Sequence, residues 1–162
     1  MKIAIISDIH DNLANLKKAL DWCRGSSISR LICCGDLTNS DSLAFLAGNF
    51  PGQIYLVEGN VELYEEKEIP SYKNIIFLGK SGIINLDKKV IGVCHEPRMV
   101  EELKKKSQYD IIFFGHTHKP WIDQKGVRTV NPGTLGGVFQ KATFAVWDSQ
   151  SDELELKILE IL

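Results

Sequence analysis

The chain has 162 residues, of which 44% are apolar and 25% are charged, and its formal net charge is −2. A chain of this length and composition can bury its own core, so we predict one globular domain over residues 1–162. The stretch between Asn60 and His95 is too short to contain a sizeable cap domain. The nearly balanced charge argues against a broad nucleic-acid groove, and no apolar run approaches the roughly 20 residues that span a bilayer.

Strands and helices are predicted to alternate along the chain. Continuous apolar runs rich in β-branched and aromatic residues, typical of strands covered on both faces, lie at residues 2–7, 30–34, 53–57, 89–94 and 110–114. Apolar residues at helical spacing, or a charged helical pattern, predict helices at residues 12–24, 40–50 and 98–107. Further strands are indicated at residues 127–131, 142–148 and 153–158. This order predicts an α/β fold with one mixed sheet or two sheets and with helices outside.

The cysteines and the N-terminal residues favour a cytoplasmic protein. The stretch MKIAIISD lacks the basic segment and the cleavage site of a signal peptide. The four cysteines form no CxxC pair and lie in apolar stretches, so we expect free and mostly buried thiols. Cys33 and Cys34, adjacent in one predicted strand, should point to opposite faces.

Metal-capable side chains follow five of the predicted strands. They are Asp8, His10, Asp36, Asn60, His95, His116 and His118, and they include all four histidines of the chain. Ligand sites of open α/β sheets gather at the carboxyl ends of the strands, where residues distant in sequence can meet. Residues i and i+2 of an extended segment point to the same side. This geometry lets Asp8 and His10 share a target, and His116 and His118 could do the same.

Each motif alone also has an ordinary structural interpretation. Asp11 or Asn12 could cap the helix that follows, and Gly-Asp and Gly-Asn are common turn dipeptides. A single histidine such as His95 is more often a hydrogen-bonded core residue than a ligand. Because all the motifs fall at strand ends, we predict a metal site. The stretch Gly79-Lys80-Ser81 resembles the end of a P-loop, but position 74 is Asn instead of the required Gly.

Five blocks in a fixed order, SDIH, CGDL, EGNVE, VCHE and FGHTH, resemble the calcineurin-like metallophosphoesterases, and among them the small phosphodiesterases of the YfcE type. The resemblance covers nearly the whole chain. It implies a two-layer β-sandwich of mixed sheets flanked by helices, with two divalent metal ions at one end of the sheets. It also implies that one ion is bound by Asp8, His10, Asp36 and His118. The other would be bound by Asp36, Asn60, His95 and His116, so that Asp36 bridges the two.

The implied ligands suit a metal-dependent phosphoesterase. Imidazole and carboxylate ligands without thiolate favour manganese, nickel, iron or zinc over calcium, and we expect manganese first. Our hypothesis is phosphodiester hydrolysis, in which a hydroxide bridging the two ions attacks phosphorus. Asn60 and His116 would stabilise the charge on the phosphate oxygens, so Asp36, Asn60 and His116 are the predicted catalytic residues.

Several positions depart from the family pattern or refine it. Val61 stands where the family has a histidine or cysteine, and that histidine is assigned as the acid that protonates the leaving group. Glu62 corresponds to the acidic residue that normally orients this histidine, but position 61 of this chain offers no histidine to orient. Glu96 replaces a frequent glycine, and we expect it either to orient His95 or to obstruct the substrate. Thr134, in the turn NPGT, is expected to be structural first, and a phosphate contact stays open as an addition.

Two other functions stay open at this point. The loss of the acid at Val61 is compatible with a metal-binding but nearly inactive interaction module, such as the retromer subunit that resembles this family. Related nucleases use the same metal motif, although this chain lacks their basic face. We expect a small phosphoester substrate at an open site, no membrane or nucleic-acid partner, and an edge strand at residues 153–158 that could support a homo-oligomer.

Overall fold

The computed structural model describes residues 1–162 and has eleven strands in two sheets with three α-helices packed on them. In chain order, the strands are β1 (Lys2–Ile6), β2 (Arg30–Cys33), β3 (Gln53–Leu56), β4 (Ile75–Phe77), β5 (Ser81–Leu86), β6 (Lys89–Cys94), β7 (Ile111–Phe113), β8 (Trp121–Asp123), β9 (Arg128–Asn131), β10 (Thr143–Asp148) and β11 (Leu154–Ile158). The helices are α1 (Leu13–Gly25), α2 (Ser40–Asn49) and α3 (Pro97–Lys106), and 3-10 helices lie at Glu66–Ser71 and Leu159–Ile161. None of these helices has the length and apolar character needed to cross a membrane.

Both sheets are mixed. The first has the strand order β11-β10-β1-β2-β3-β4, in which β1 to β4 are parallel and β10 and β11 are antiparallel additions. The second has the order β5-β6-β7-β9-β8, in which β6, β7 and β9 are parallel and the edge strands are antiparallel. The expected two-layer sandwich of mixed sheets flanked by helices is confirmed.

The core lies in three layers because both faces of each sheet are covered. Between the sheets pack side chains such as Ile5, Phe113 and Trp147. The helices α1 and α2 cover the outer face of the first sheet, and α3 covers that of the second. Strands β1, β2 and β7 are therefore buried on both faces over nearly their whole length, which explains their continuous apolar runs.

All four cysteines are free and buried, as predicted. Cys33 packs in the layer beneath α1 and α2, whereas Cys34 packs between the sheets, so the two side chains do point to opposite faces. Burial raises the pKa of Cys23 and Cys94 to about 12. Thiolate ligands therefore play no part in the site that these strands support.

The three α-helices begin within one residue of the positions predicted from the sequence, whereas three strands lie outside the predicted elements. Asn12 is the N-cap of α1, and its side chain accepts a hydrogen bond from the Asn15 N–H at 3.1 Å. Asp11 instead accepts hydrogen bonds from the Asn39 N–H and the Ser42 hydroxyl at the start of α2. The unpredicted strands are β4, β5 and β8; β4 and β8 have three residues each, too few to show a periodic pattern.

Candidate metal centre

The predicted site residues lie on loops that leave the carboxyl ends of β1, β2 and β3 in the first sheet and of β6 and β7 in the second. Backbone hydrogen bonds join these loops. The Asp8 N–H donates to the Gly35 carbonyl, and the Gly115 N–H donates to the His95 carbonyl, each at 3.0 Å. The loops meet at one end of the sandwich because the strands within each set are parallel. All the predicted side chains come together there in two adjoining groups.

The first group consists of Asp8, His10 and His118, whose candidate ligand atoms lie within 4.8 Å of one another. Nε2 of His118 lies 3.0 Å from Nε2 of His10 and 3.3 Å from Oδ1 of Asp8. The Asp8 side chain is fully buried, and the His116 N–H donates to both of its oxygens at 3.2 and 3.1 Å. The carboxylate is therefore fixed in place by the loop that carries the two histidines.

The second group consists of Asp36, Asn60, His95 and His116. Oδ1 of Asn60 lies 2.8 Å from both Nε2 of His95 and Nδ1 of His116. Oδ2 of Asp36 lies 3.3 Å from Nε2 of His95 and 3.8 Å from Nε2 of His10, which belongs to the first group. The Asp36 carboxylate thus lies between the two groups, where a bridging ligand would have to be.

Two histidines in this centre direct Nε2 at a carboxylate and Nδ1 at a backbone carbonyl. Nδ1 of His95 lies 2.7 Å from the Cys34 carbonyl, and Nδ1 of His118 lies 3.3 Å from the Val138 carbonyl. A carbonyl only accepts hydrogen bonds, so in each neutral ring the proton is on Nδ1 and the lone pair is on Nε2. Each Nε2 lies 3.3 Å from a carboxylate oxygen.

A lone pair facing a carboxylate is repulsive unless a proton or a metal ion lies between them. Metal–ligand distances of about 2.1 Å place neighbouring ligand atoms roughly 3 Å apart, which is close to the separations in both groups. Mixed imidazole, carboxylate and amide donors are also the ligands that divalent transition metals accept. The residues present therefore fit a pair of divalent cations.

Burial and charge shift the titration of these groups in a consistent way. Burial raises the pKa of Asp8 above its ordinary value. Burial also acts to raise the pKa of Asp36, but the hydrogen bond and the charge of His95 outweigh it and hold that pKa below its ordinary value. For His95, burial acts to lower the pKa, and the Asp36 carboxylate raises it by more. The buried carboxylates thus favour positive charge at this end of the sandwich.

The backbone of the candidate ligands is strained. The φ angles of Asp8, His10, Asp36, His116 and His118 are 54°, 46°, 57°, 70° and 59°, in the left-handed region that residues other than glycine seldom adopt. Such strain is concentrated at functional sites, where the surrounding structure enforces it.

This geometry corrects the prediction of extended segments. Asp8 and His10 do belong to the same group, but a tight turn brings them together instead of an extended segment. The turn between His116 and His118 sends His116 towards Asn60 and His118 towards Asp8. The two histidines therefore do not share one target, which the spacing alone had left open.

Glu62 is a site residue whose role the sequence did not reveal. Its carboxylate accepts hydrogen bonds from the backbone N–H groups of Leu37 at 3.3 Å, Thr38 at 2.8 Å and Gly59 at 3.0 Å. Although these bonds oppose the effect, burial raises the pKa of Glu62 above its ordinary value. Glu62 thus holds the loop of Asp36 against the loop of Asn60, instead of having nothing to orient.

Replacing Glu62 with Ala is expected to lower the free energy of unfolding by about 1–3 kcal/mol, because three backbone donors lose a partly buried charged acceptor. Urea unfolding followed by circular dichroism measures this change. Glu66→Ala, a change of an exposed glutamate in the adjacent 3-10 helix, is the matched control and should leave stability nearly unaltered. Equal stability of the two variants would show that Glu62 does not hold the loops.

Asn131 and Thr134 support the centre from beneath. The Asn131 amide donates to the Gly115 carbonyl at 2.7 Å and to the Thr117 hydroxyl at 3.1 Å, so it fixes the loop that carries the two histidines. The Thr134 hydroxyl is fully buried and donates to the Asp8 carbonyl at 2.8 Å. Its predicted structural role is confirmed, and the phosphate contact that the sequence left open is excluded because no part of the side chain is exposed.

The positions that depart from the family pattern flank the second group. The Val61 N–H donates to Oδ1 of Asp36 at 3.1 Å, and its side chain is 39% exposed. Glu96 is paired with Arg98, with Oε2 of Glu96 lying 2.7 Å from Nε of Arg98. Since Nδ1 of His95 is bonded to the Cys34 carbonyl, the interpretation of Glu96 as the residue that orients His95 is wrong.

A cavity of about 280 Å³ opens beside Asn60 and His95. Its walls are mostly polar, and the residues that line it are Glu58, Gly59, Asn60, Lys80, His95, Glu96 and Met99. Lys80 is its only cationic side chain and forms no ion pair. The stretch that resembled a P-loop thus contributes a free ammonium group next to the second group.

Residues 1–152 match the family described as the calcineurin-like phosphoesterase superfamily domain. A phosphodiesterase of Methanocaldococcus jannaschii is 27% identical over 173 residues, which cover 99% of this chain and 100% of the relative. A probable metallophosphoesterase of the same organism is 32% identical over 171 residues, which cover 99% of this chain and 82% of the relative.

Solved structures show the same fold. The structure of an archaeal phosphodiesterase superposes with a TM-score of 0.87 at 24% identity, over 98% of this chain and 99% of that one. The phosphoesterase YfcE from E. coli superposes with a TM-score of 0.70 at 19% identity, over 98% of this chain and 100% of that one. At these identities the likeness concerns the arrangement of the sheets and helices.

Proposed function

Because this chain belongs to the calcineurin-like phosphoesterase superfamily, we propose that it is a metal-dependent phosphodiesterase that acts on small phosphoesters. The observation that carries the proposal is the pair of imidazole Nε2 atoms, each with its Nδ1 proton bound to a backbone carbonyl and each directed at a buried carboxylate. Such an arrangement favours bound cations over a purely structural polar core.

We assign the ligands of the two ions as follows. One divalent ion would be held by Asp8, His10, Asp36 and His118, and the other would be held by Asp36, Asn60, His95 and His116. The separations of 2.8–3.8 Å between the nearest donor atoms of each set support this division. Manganese is the proposed ion, with nickel, iron and zinc as the alternatives that the same donors accept.

Two divalent ions bound here supply Lewis acidity and lower the pKa of water, so that hydroxide is available near neutral pH. The protein residues do the rest. Asn60 and His116 lie at the exposed side of the second group, where their side chains can donate to the phosphate oxygens as negative charge develops. Lys80 adds a positive charge in the adjoining cavity, which Glu58 offsets, so the bound ions would supply most of the attraction for an anionic substrate. The side chain of Val61 has no proton that it could donate to the leaving group.

We further propose that residues 1–162 act as one domain with an open site and without a cap domain. Between Asn60 and His95, the chain forms a 3-10 helix and then β4, β5 and β6, which belong to the two sheets. These strands leave the cavity beside Asn60 open to solvent on one side, so we expect the enzyme to accept several small diesters.

The experiment for this function compares bis(p-nitrophenyl) phosphate with p-nitrophenyl phosphate as substrates. Protein stripped of metal should be inactive, and manganese should restore hydrolysis of the diester well above that of the monoester. Calcium at the same concentration is the control and should restore little, because it prefers oxygen ligands. A preference for the monoester, or equal activity with calcium, would argue against the proposal.

Introducing a proton donor at position 61 should change the preference for the leaving group. Val61→His is expected to raise the turnover of alkyl phosphoesters by about 10²-fold or more, whereas p-nitrophenyl esters, whose leaving group needs no proton, should change little. The measurement is the rate for each ester at saturating metal. Leu63→His places the same ring two residues away on an exposed side chain and is the matched control. Equal rates for the two variants on alkyl esters would contradict the assigned role of position 61.

A further inference from the structure

Strand β11 is an edge strand of the first sheet, paired only with β10. The Asp148 N–H donates to the Glu153 carbonyl, and the Leu159 N–H donates to the Ala142 carbonyl, so odd-numbered residues at this edge bond to β10. In an antiparallel ladder, hydrogen-bonded pairs alternate with pairs whose backbone groups point away. Leu154, Leu156 and Ile158 therefore direct their N–H and C=O groups outwards, where another strand could bind them.

The sequence of β11, Leu-Glu-Leu-Lys-Ile, is complementary to itself in the antiparallel direction. A two-fold axis at Leu156 places Leu156 opposite Leu156 of a second copy. The same axis places Leu154 opposite Ile158 and Glu155 opposite Lys157. The apolar positions then form the hydrogen-bonded pairs. The charged positions form the closer, non-hydrogen-bonded pairs, where opposite charges directly across from each other stabilise the ladder.

We propose that two copies of this chain form a symmetric dimer by pairing their β11 strands about Leu156, which joins the two six-stranded sheets into one continuous sheet. We assign a second copy to this edge because one register meets two requirements. It gives hydrogen-bond partners to the outward N–H and C=O groups of β11, and it places Glu155 and Lys157 of one copy opposite Lys157 and Glu155 of the other. A partner of unrelated sequence would match the backbone groups but has no reason to match the charges.

An exposed apolar groove beside β11 supports the same contact. A groove of about 320 Å³ runs between Leu154 and Leu156 on β11 and Trp121 and Ile122 on β8. Trp121 is 50% exposed, Ile122 48% and Leu156 47%, which is unusual for large apolar side chains placed side by side. Pairing at Leu156 removes part of this surface from water and adds to the backbone hydrogen bonds of the paired strands.

The other edge strands lack this combination. β4 and β8 have three residues each, which gives too short a ladder. β5 has six residues but carries no charged side chain, so its sequence contains no pair of opposite charges that a two-fold axis could match. The self-complementary pattern is thus particular to β11.

The oligomeric state tests the proposal directly, measured by sedimentation velocity over a range of protein concentrations. The wild-type chain should sediment as a dimer that dissociates on dilution. Glu155→Lys places lysines opposite one another twice in the dimer and should raise the dissociation constant at least about tenfold. Adding Lys157→Glu to that variant restores opposite charges in both pairs and should restore the dimer. Asn85→Lys, which adds a charge to the exposed face of β5, is the control and should leave the dimer intact.

A second variant distinguishes lost pairing from lost folding. The Leu156 N–H points away from β10, so Leu156→Pro removes a hydrogen bond to the second copy and none to β10. This variant should be monomeric with a wild-type circular dichroism spectrum. The proposal is overturned if the wild-type chain is monomeric at every concentration, or if neither Glu155→Lys nor Leu156→Pro weakens the dimer. Neither outcome depends on catalytic activity.

Discussion

Asp36→Asn should abolish metal-dependent hydrolysis, with a loss of about 10³-fold or more in kcat/KM. The Asp36 carboxylate lies 3.3 Å from His95 of the second group and 3.8 Å from His10 of the first group, so it is positioned to serve both ions. An amide has no negative charge and is a weak bridging ligand. The several kcal/mol that bound metal contributes to the transition state would be lost, and each tenfold in rate corresponds to about 1.36 kcal/mol.

The fold of this variant should be preserved. The Val61 N–H donates to Oδ1 of Asp36, and the Asn amide oxygen can accept the same bond. Metal affinity, measured by isothermal titration with manganese, should fall together with activity. Asp41→Asn, at an exposed position in the first turn of α2, is the matched control and should change neither quantity appreciably. A variant at position 36 that keeps metal-dependent turnover would contradict the proposed bridging role.

The second large effect is expected for Gly59→Ala, which should weaken metal binding and reduce hydrolysis by about 10²-fold or more. A Cβ atom at position 59 would lie 2.0 Å from Oδ1 of Asp36 and 2.3 Å from its backbone nitrogen. These distances are far below any van der Waals contact, so the loop of Asp36 or the loop of Asn60 must move. Displacing a catalytic group by about 1 Å costs on the order of 10²-fold in rate.

Gly48→Ala is the control for this prediction. Position 48 lies within α2, and a Cβ atom there would meet nothing within 4 Å. The substitution should leave activity unchanged and stabilise the protein by about 0.5–1 kcal/mol, because alanine favours the helix. Hydrolysis with added metal measures the effect on activity, and thermal unfolding measures the effect on stability. Wild-type activity in Gly59→Ala would show that the loops of Asp36 and Asn60 need not pack as closely as they do.

Much of the fold could be predicted because burial on both faces leaves a strong pattern in the sequence. The runs at β1, β2 and β7 are apolar throughout, since one face packs between the sheets and the other beneath a helix. The same strands made the site predictable. Asp8 follows its run directly, and Asp36 and His116 follow theirs after one glycine. Parallel strands bring their carboxyl ends together.

The remaining parts of the site depend on contacts that leave no local pattern. Glu62 accepts hydrogen bonds from the backbone on both sides of the site, and backbone donors carry no sequence signature. Asn131, at the end of β9, likewise donates a hydrogen bond to the carbonyl of Gly115 in the loop that follows β7. The separation of His116 from His118 depends on left-handed φ angles that non-glycine residues seldom adopt, so spacing alone suggested an extended segment.

The most direct test of the proposed function is a titration of metal-free protein with manganese while hydrolysis of bis(p-nitrophenyl) phosphate is followed. The donor groups around Asp36 predict that activity rises from near zero and saturates when two ions are bound per chain, as measured by elemental analysis of the same samples. A protein that binds two ions and shows no turnover of the diester would contradict a catalytic role and indicate a metal-binding interaction module.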